Sequence, residues 1–298
     1  MSKVTLLDGA VGQELVKRAG DAPTPLWSTQ AMIDHPELVD EVHLDYLRAG
    51  ATVISTNTYA VLRDRLVRVG LENRLEILTD MAITAAHRAR AAFGAGRIAG
   101  VIGPLVQSYR PDLSPPAPEA ARIYAEPVAH LKDRVDLLVL ETMASVDQAE
   151  GGLRAASGQG VPVWLAVSVD DQDGTKLRSG EPLTELAPLI DRFHPEAVLI
   201  NCSRPEAVTP ALEVLKTFGL PFGAYANGFT AISAGFLQEA PTVDALSARQ
   251  DLGPEAYADF AMDWIAQGAT IIGGCCEVGP NHIRAMAQKI KQAGHEII

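Results

Sequence analysis

The chain has 298 residues, 47% of them hydrophobic, and carries 37 acidic against 25 basic side chains for a formal charge of −12. That much apolar material suffices for a full core, which excludes a largely disordered chain, and the negative field repels nucleic acid phosphates and anionic lipid surfaces. A small molecule is therefore the expected partner; no uncharged run approaches a membrane span and the apolar stretch before Asp8 is too short for a secretory core, so a cytoplasmic location is expected.

Short runs rich in Val, Ile, Leu and Ala alternate along the chain with longer stretches of helical spacing. Strands are expected over Val4 to Leu7, Thr52 to Ser55, Ile98 to Ile102, Leu137 to Leu140, Val163 to Val167, Val198 to Ile200, Phe222 to Ala226 and Thr270 to Ile272. Helices are expected over Pro36 to Ala49, Leu71 to Ala92, Glu119 to Arg134, Val146 to Ser157, Leu183 to Phe193, Pro205 to Phe218, Pro254 to Gln267 and Pro280 to Ala293, several opening on proline and closing near glycine. About eight such pairs predict an α/β fold, a single (β/α)8 TIM barrel over residues 1–298, whose chemistry sits at the C-terminal strand ends. A doubly wound open sheet is the alternative.

Polar residues fall where a barrel would put its mouth. Asp8, Asn57, Gly103-Pro104, Glu141, Ser168, Asn201-Cys202, Asn227 and Cys275-Cys276 follow the eight runs in turn. A barrel aims all of them into one opening, whereas an open sheet spreads them along an edge. Two long segments, Gln107 to Pro118 and Gly228 to Gly253, are candidate lids or binding loops.

The three cysteines, Cys202, Cys275 and Cys276, end the sixth and eighth runs. In a reducing compartment they are no disulfide framework, so metal binding or thiol chemistry is the expected use. No fourth cysteine or Cys-x-x-Cys pair completes a structural zinc knuckle, and the arrangement suits a Zn2+ held by three thiolates with one position open. Neighbouring side chains on a strand point to opposite faces, so Cys275 and Cys276 can share an ion only if the backbone turns there. Gly273-Gly274 is expected to allow that turn through glycine's conformational freedom. Inert core cysteines, or a vicinal disulfide acting as a redox switch, are the competing readings. Read alone, Asp8 is either a helix cap or a ligand group, and Glu141 is a mouth carboxylate of unassigned purpose. His282, just past the thiolates, is a candidate to support them from behind.

These residues resemble the homocysteine S-methyltransferase family, which includes betaine and S-methylmethionine dependent enzymes and the homocysteine-binding module of cobalamin-dependent methionine synthase. The likeness spans the chain: Leu7-Asp8-Gly9-Ala10, Leu26-Trp27-Ser28, His43 through Ala51, Ser55-Thr56-Asn57-Thr58-Tyr59, Gly103-Pro104, Leu140-Glu141-Thr142, Ser179-Gly180-Glu181-Pro182-Leu183, Asn201-Cys202-Ser203 and Gly273-Gly274-Cys275-Cys276. The resemblance implies a catalytic zinc on Cys202, Cys275 and Cys276, with the homocysteine sulfur in the fourth position and Asn227 there when substrate is absent. It also implies that Asp8 and Glu141 receive the substrate ammonium and that the Gly9-Ala10-Val11 turn receives its carboxylate, at the start of a helix whose N-terminus favours anions. Trp27, Asn57, Tyr59, Ser168 and Asn201 complete the expected substrate-binding set.

The donor is less sharply marked. Trp27 matches a tryptophan of the betaine-using relatives and would face a cationic methyl donor, yet Ala60 replaces the second aromatic of their adjacent pair. A sulfonium or quaternary ammonium donor, such as S-methylmethionine, S-adenosylmethionine or a betaine, is expected because it carries its own leaving group. No folate or cobalamin region fits after Ile298, so a complete cobalamin-dependent synthase is not expected. A stand-alone homocysteine-activating module of a split methionine synthase stays open, as does a non-catalytic zinc-binding or thiol redox-sensing protein. A homo-oligomer is also left open.

Overall fold

The structure, a computed structural model, describes residues 2–20, 26–232, 235, 237 and 246–298. Residues 233, 234, 236 and 238–245 of the expected loop from Gly228 to Gly253 lie outside the described residues. Nine parallel strands form one sheet: β1 (Lys3–Leu6), β2 (Val53–Ser55), β3 (Arg97–Ile102), β4 (Leu137–Met143), β5 (Val163–Val167), β6 (Ala197–Asn201), β7 (Phe222–Tyr225), β8 (Ile271–Ile272) and β9 (Glu296–Ile297). Their order is β2-β3-β4-β5-β6-β7-β8-β1-β9. The sheet curls until its distant members touch, because Leu7 bridges Val53, the Thr52 amide donates to Leu6 O at 2.7 Å and the Asp8 amide to Val53 O at 3.0 Å.

Period-two alternation explains why the strands read as continuous apolar runs. Leu7, Val53, Ala99, Val101, Leu137, Val139, Trp164, Ala166, Ala197, Leu199, Tyr225 and Ile271 pack together as an inner core drawn from the first eight strands or the residue next to them. Their alternates, including Ile54, Ile98, Ile102, Leu138, Leu140, Leu165, Val198 and Ile200, face the helices in a larger outer core. Both faces are thus dry, as parallel sheets covered by crossover helices require.

The helices are α1 (Val11–Ala19), α2 (Ser28–Asp34), α3 (Pro36–Ala49), α4 (Arg63–Leu66), α5 (Leu75–Phe93), α6 (Ala117–Leu131), α7 (Val146–Ala156), α8 (Ala187–Phe193), α9 (Pro205–Leu215), α10 (Pro254–Ala266) and α11 (Pro280–Gln292). Proline begins α3, α9, α10 and α11, where its missing N–H has no intrahelical partner to lose. The expected helix from Leu71 starts instead with a 3-10 turn at Glu72–Arg74, and that from Leu183 with a 3-10 turn at Leu183–Leu186 before α8. Helix α1 follows the Gly9-Ala10-Val11 turn as expected, whereas the short helices α2 and α4 and the two-residue β9 were not expected. Strand β9 extends the sheet beyond β1, and Ile298 O accepts from Thr52 Oγ1 at 2.6 Å.

Candidate functional site

The sulfur atoms meet at the C-terminal strand ends. Cys202 follows β6, and Cys275 and Cys276 follow β8 after Gly273-Gly274. The Sγ atoms of Cys202 and Cys275 are in contact, those of Cys275 and Cys276 are 4.0 Å apart, and all three lie within 4.8 Å of one another. The turn is pinned by the Gly274 amide donating to Asp8 O at 3.0 Å and the Cys275 amide to Ala226 O at 2.9 Å.

The two glycines work differently from expectation. Neither has a positive φ; the left-handed residues here are Cys202 (φ 47°) and Glu277 (φ 64°). Instead, a Cβ on Gly273 would strike Leu7, and one on Gly274 would collide with Val278. Close approach of backbone, and no special dihedral, is why glycine is needed. The strain sits on side-chain-bearing residues: Trp27, Val106, Tyr109, Thr142, Cys202 and Glu277 all take positive φ at or beyond the C-terminal strand ends. Such conformations cost on the order of 1–3 kcal/mol each and cluster where function over-determines the backbone.

A cavity of about 110 Å3 contains the sulfurs together with both expected carboxylates. Asp8 is buried and does not cap α1; its two oxygens accept from the Ser55 amide at 2.6 Å and from Ser55 Oγ at 2.9 Å. Loss of solvent outweighs those bonds and pushes its carboxyl up to about 7. Glu141 is likewise pushed up to about 7, first by burial and further by the Asp8 charge, against the opposing hydrogen bond from Tyr225 Oη. Burial, with the nearby charges of Glu141 and Glu277, pushes the Cys276 thiol up to about 12. A cation entering the cavity would favour the ionised form of each of these acids.

Gly9, Ala10, Val11, Trp27, Asn57 and Tyr59 also line it. The Ala10 amide donates to Val278 O (3.0 Å) and the Val11 amide to Gly9 O (2.8 Å), so two of the amides expected to receive the carboxylate are already bonded. The first-turn amides of α1 at Gly12 and Gln13, which border the same cavity, have no intrahelical acceptor. Asn57 is locked to α2, accepting from Ser28 Oγ at 2.7 Å and donating to Ser28 O at 3.1 Å, and Tyr59 shares a hydrogen bond with Ser108 at 2.7 Å.

Three expected ligand residues do not line the cavity. Asn201 is buried between strands, accepting from the Thr142 amide and donating to Thr142 Oγ1. Ser168 donates to Cys202 O at 3.1 Å, and Asn227 accepts from the Phe229 amide at 3.2 Å. The bonds of Asn201 and Ser168 brace the backbone beside Glu141 and Cys202, while that of Asn227 closes its own turn. His282 accepts from the Gly279 amide at 3.2 Å, capping α11, with its other ring nitrogen 3.4 Å from Leu252 O. Sequence reasoning missed Ser55, Ser108 and Tyr225, although Ser55 and Tyr225 close β2 and β7 and the same strand-end rule would have found them.

Comparison with known proteins gives a consistent answer. Residues 5–290 match the family model described as homocysteine S-methyltransferase. The homocysteine S-methyltransferase of Escherichia coli K12 is 30% identical, with 95% of this chain and 94% of that protein covered. Homocysteine S-methyltransferase 4 of Zea mays is 27% identical over 98% of this chain and 91% of its own length. Among solved structures, the metallated form of the homocysteine methyltransferase MmuM from Escherichia coli superposes with a TM-score of 0.80 at 29% identity, covering 96% of each chain. The chain, an α/β enzyme with a three-cysteine cluster beside Asp8 and Glu141, belongs to the homocysteine S-methyltransferase family and is a methyltransferase.

Proposed function

We propose that this enzyme moves a methyl group from a sulfonium or quaternary ammonium donor to the thiol of homocysteine, giving methionine, and that zinc on Cys202, Cys275 and Cys276 is required. In this reading the curled sheet is a complete (β/α)8 barrel with the metal at its C-terminal mouth. The observation that carries it is the placing of three sulfurs within 4.8 Å of one another in the cavity that holds Asp8 and Glu141. The donor set fits the ion: three soft sulfurs suit zinc, and three protein ligands leave the open position typical of a catalytic site. Bound there, zinc would hold the incoming thiol as a thiolate at neutral pH.

The chain's own residues then do the positioning. Asp8 and Glu141, ionised as the ammonium enters, fix the amino end, while the α1 amides at Gly12 and Gln13 receive the carboxylate. These contacts hold the sulfur for in-line attack on the methyl carbon; the new S–C bond forms as the donor's C–S or C–N bond breaks, and the bonding pair leaves with the donor, now neutral at that atom. Trp27, Tyr59 and Tyr109 border the same cavity and offer aromatic faces to the donor cation.

The test is a screen of purified, zinc-loaded protein with homocysteine and S-methylmethionine, S-adenosylmethionine or a betaine, scored by methionine formation. Turnover with at least one donor, lost on chelation and restored by zinc, is expected. Turnover that survives full metal removal, or methylation that requires an added corrinoid protein, overturns this reading.

A further inference from the structure

Three loops of the mouth meet at one guanidinium, and a fourth reaches it through Asp171. Arg178, in the loop after β5, is 10% exposed and pairs at 2.8 Å with Asp171, itself 12% exposed. Its Nε donates to Ser168 Oγ at 2.7 Å and an Nη to Cys202 O at 3.1 Å, while Ser168 Oγ donates to that same carbonyl. The guanidinium lies over the ring of Tyr109 at 4.9 Å, on a residue that lines the cavity. Asp171 spends its other oxygen on the Ile232 amide at 3.2 Å, just beyond β7.

Cys202 is the residue here with most to hold in place. Its φ of 47° is unfavourable for any side chain with a β-carbon and persists only if its surroundings leave no alternative. Two donors on its carbonyl set the orientation of the peptide that follows it, and the dihedrals at Cys202 determine where its sulfur lies. We infer that Arg178 is a positioning residue of the sulfur site: it locks Cys202 in the left-handed conformation that brings its sulfur to Cys275. Through Asp171 and Tyr109 it makes that lock depend on the seating of the segments carrying Ile232 and Tyr109. Only a planar fork can reach Ser168, Cys202 and Asp171 at once and still stack on a ring, so lysine is no substitute. The inference rests on the metal reading above.

The full-length chain tests it, with Arg178→Met, Arg178→Lys and Asp171→Asn compared to Arg154→Met, which removes a more exposed pair with Glu150 on α7. Zinc affinity is read by competition with a chromogenic chelator, and ligand geometry by the absorption spectrum of the cobalt-loaded protein. Arg178→Met should weaken zinc binding at least tenfold and alter the cobalt spectrum, Arg178→Lys and Asp171→Asn should fall between it and wild type, and Arg154→Met should change neither. Should Arg178→Met fail to fold, Asp171→Asn decides. Wild-type zinc affinity and an unchanged spectrum in Asp171→Asn and any folded Arg178 variant, with only the melting temperature lowered, overturn the inference. Wild-type protein that takes up neither metal overturns the metal reading and this inference with it, a failure visible before any substitution is made.

Discussion

Tyr225 on β7 donates its phenolic proton to Glu141 Oε1 on β4, 3.0 Å away. The bond favours the ionised carboxylate, against burial and the Asp8 charge, which both favour the protonated acid. Tyr225→Phe should therefore raise the Glu141 pKa and weaken homocysteine binding at neutral pH. A hydrogen bond to a charged group contributes about 1.5–3 kcal/mol, so roughly a tenfold rise in KM at pH 7, shrinking at pH 8.5, is expected with zinc content unchanged. A KM that does not depend on pH in this variant would place the phenol outside substrate binding.

Stability should carry the signature of the same acids. Asp8 rises from 3.8 and Glu141 from 4.5 to about 7, so between about pH 4 and 7 the folded chain binds more protons than the unfolded one. Their contribution is fully present below the unfolded pKa values and is lost as pH rises through 7. Glu141→Gln keeps an acceptor for Tyr225 but cannot ionise. Its ligand-free melting temperature, taken relative to wild type, should therefore be higher at pH 8 than at pH 4.5.

Each sulfur should be indispensable to the metal and dispensable to the fold. Cys202→Ala, Cys275→Ala and Cys276→Ala are expected to lose zinc and turnover while far-UV circular dichroism stays native, and Glu141→Ala should keep its zinc while binding homocysteine poorly. Full activity in any cysteine variant, or metal loss in Glu141→Ala, would show that these roles are misassigned.

Glycines at the mouth should be intolerant for reasons of space. A Cβ on Gly9 meets the Val278 carbonyl and one on Gly274 meets the Val278 side chain, so either alanine variant must displace the turn that carries Cys275 and Cys276. Overpacking of this kind costs about 1–3 kcal/mol. We expect Gly274→Ala to lower both melting temperature and zinc affinity, whereas Gly253→Ala, with open space around it, should change neither.

Much of this was readable before any coordinates. The strand runs stood out because residues such as Val198 to Ile200 are dry on both faces, inner core on one side and helices on the other. Helix starts at Pro36, Pro205, Pro254 and Pro280 were equally plain, since proline at a first turn has a local cause. The short α2 was invisible, as seven residues carry too little periodicity to separate it from loop. Asp8 and Glu141 stood out as mouth carboxylates but their partners Ser55 and Tyr225 did not, and Ser168, Asn201 and Asn227, expected at the site, are bonded here to Cys202, Thr142 and Phe229.

Identity and order of residues settled what is local: the alternation of elements, the family pattern, and three thiols at the ends of two strands. Whether those thiols meet, and which neighbours tune the carboxylates beside them, was decided only by tertiary structure. Proximity between Cys202 and Cys275, 73 positions apart, depends on how the whole sheet curls, and the shifted acidity of Asp8 and Glu141 depends on water excluded by strands from all round it. Desolvation and convergence are properties of the assembled core, and no single stretch of chain contains them.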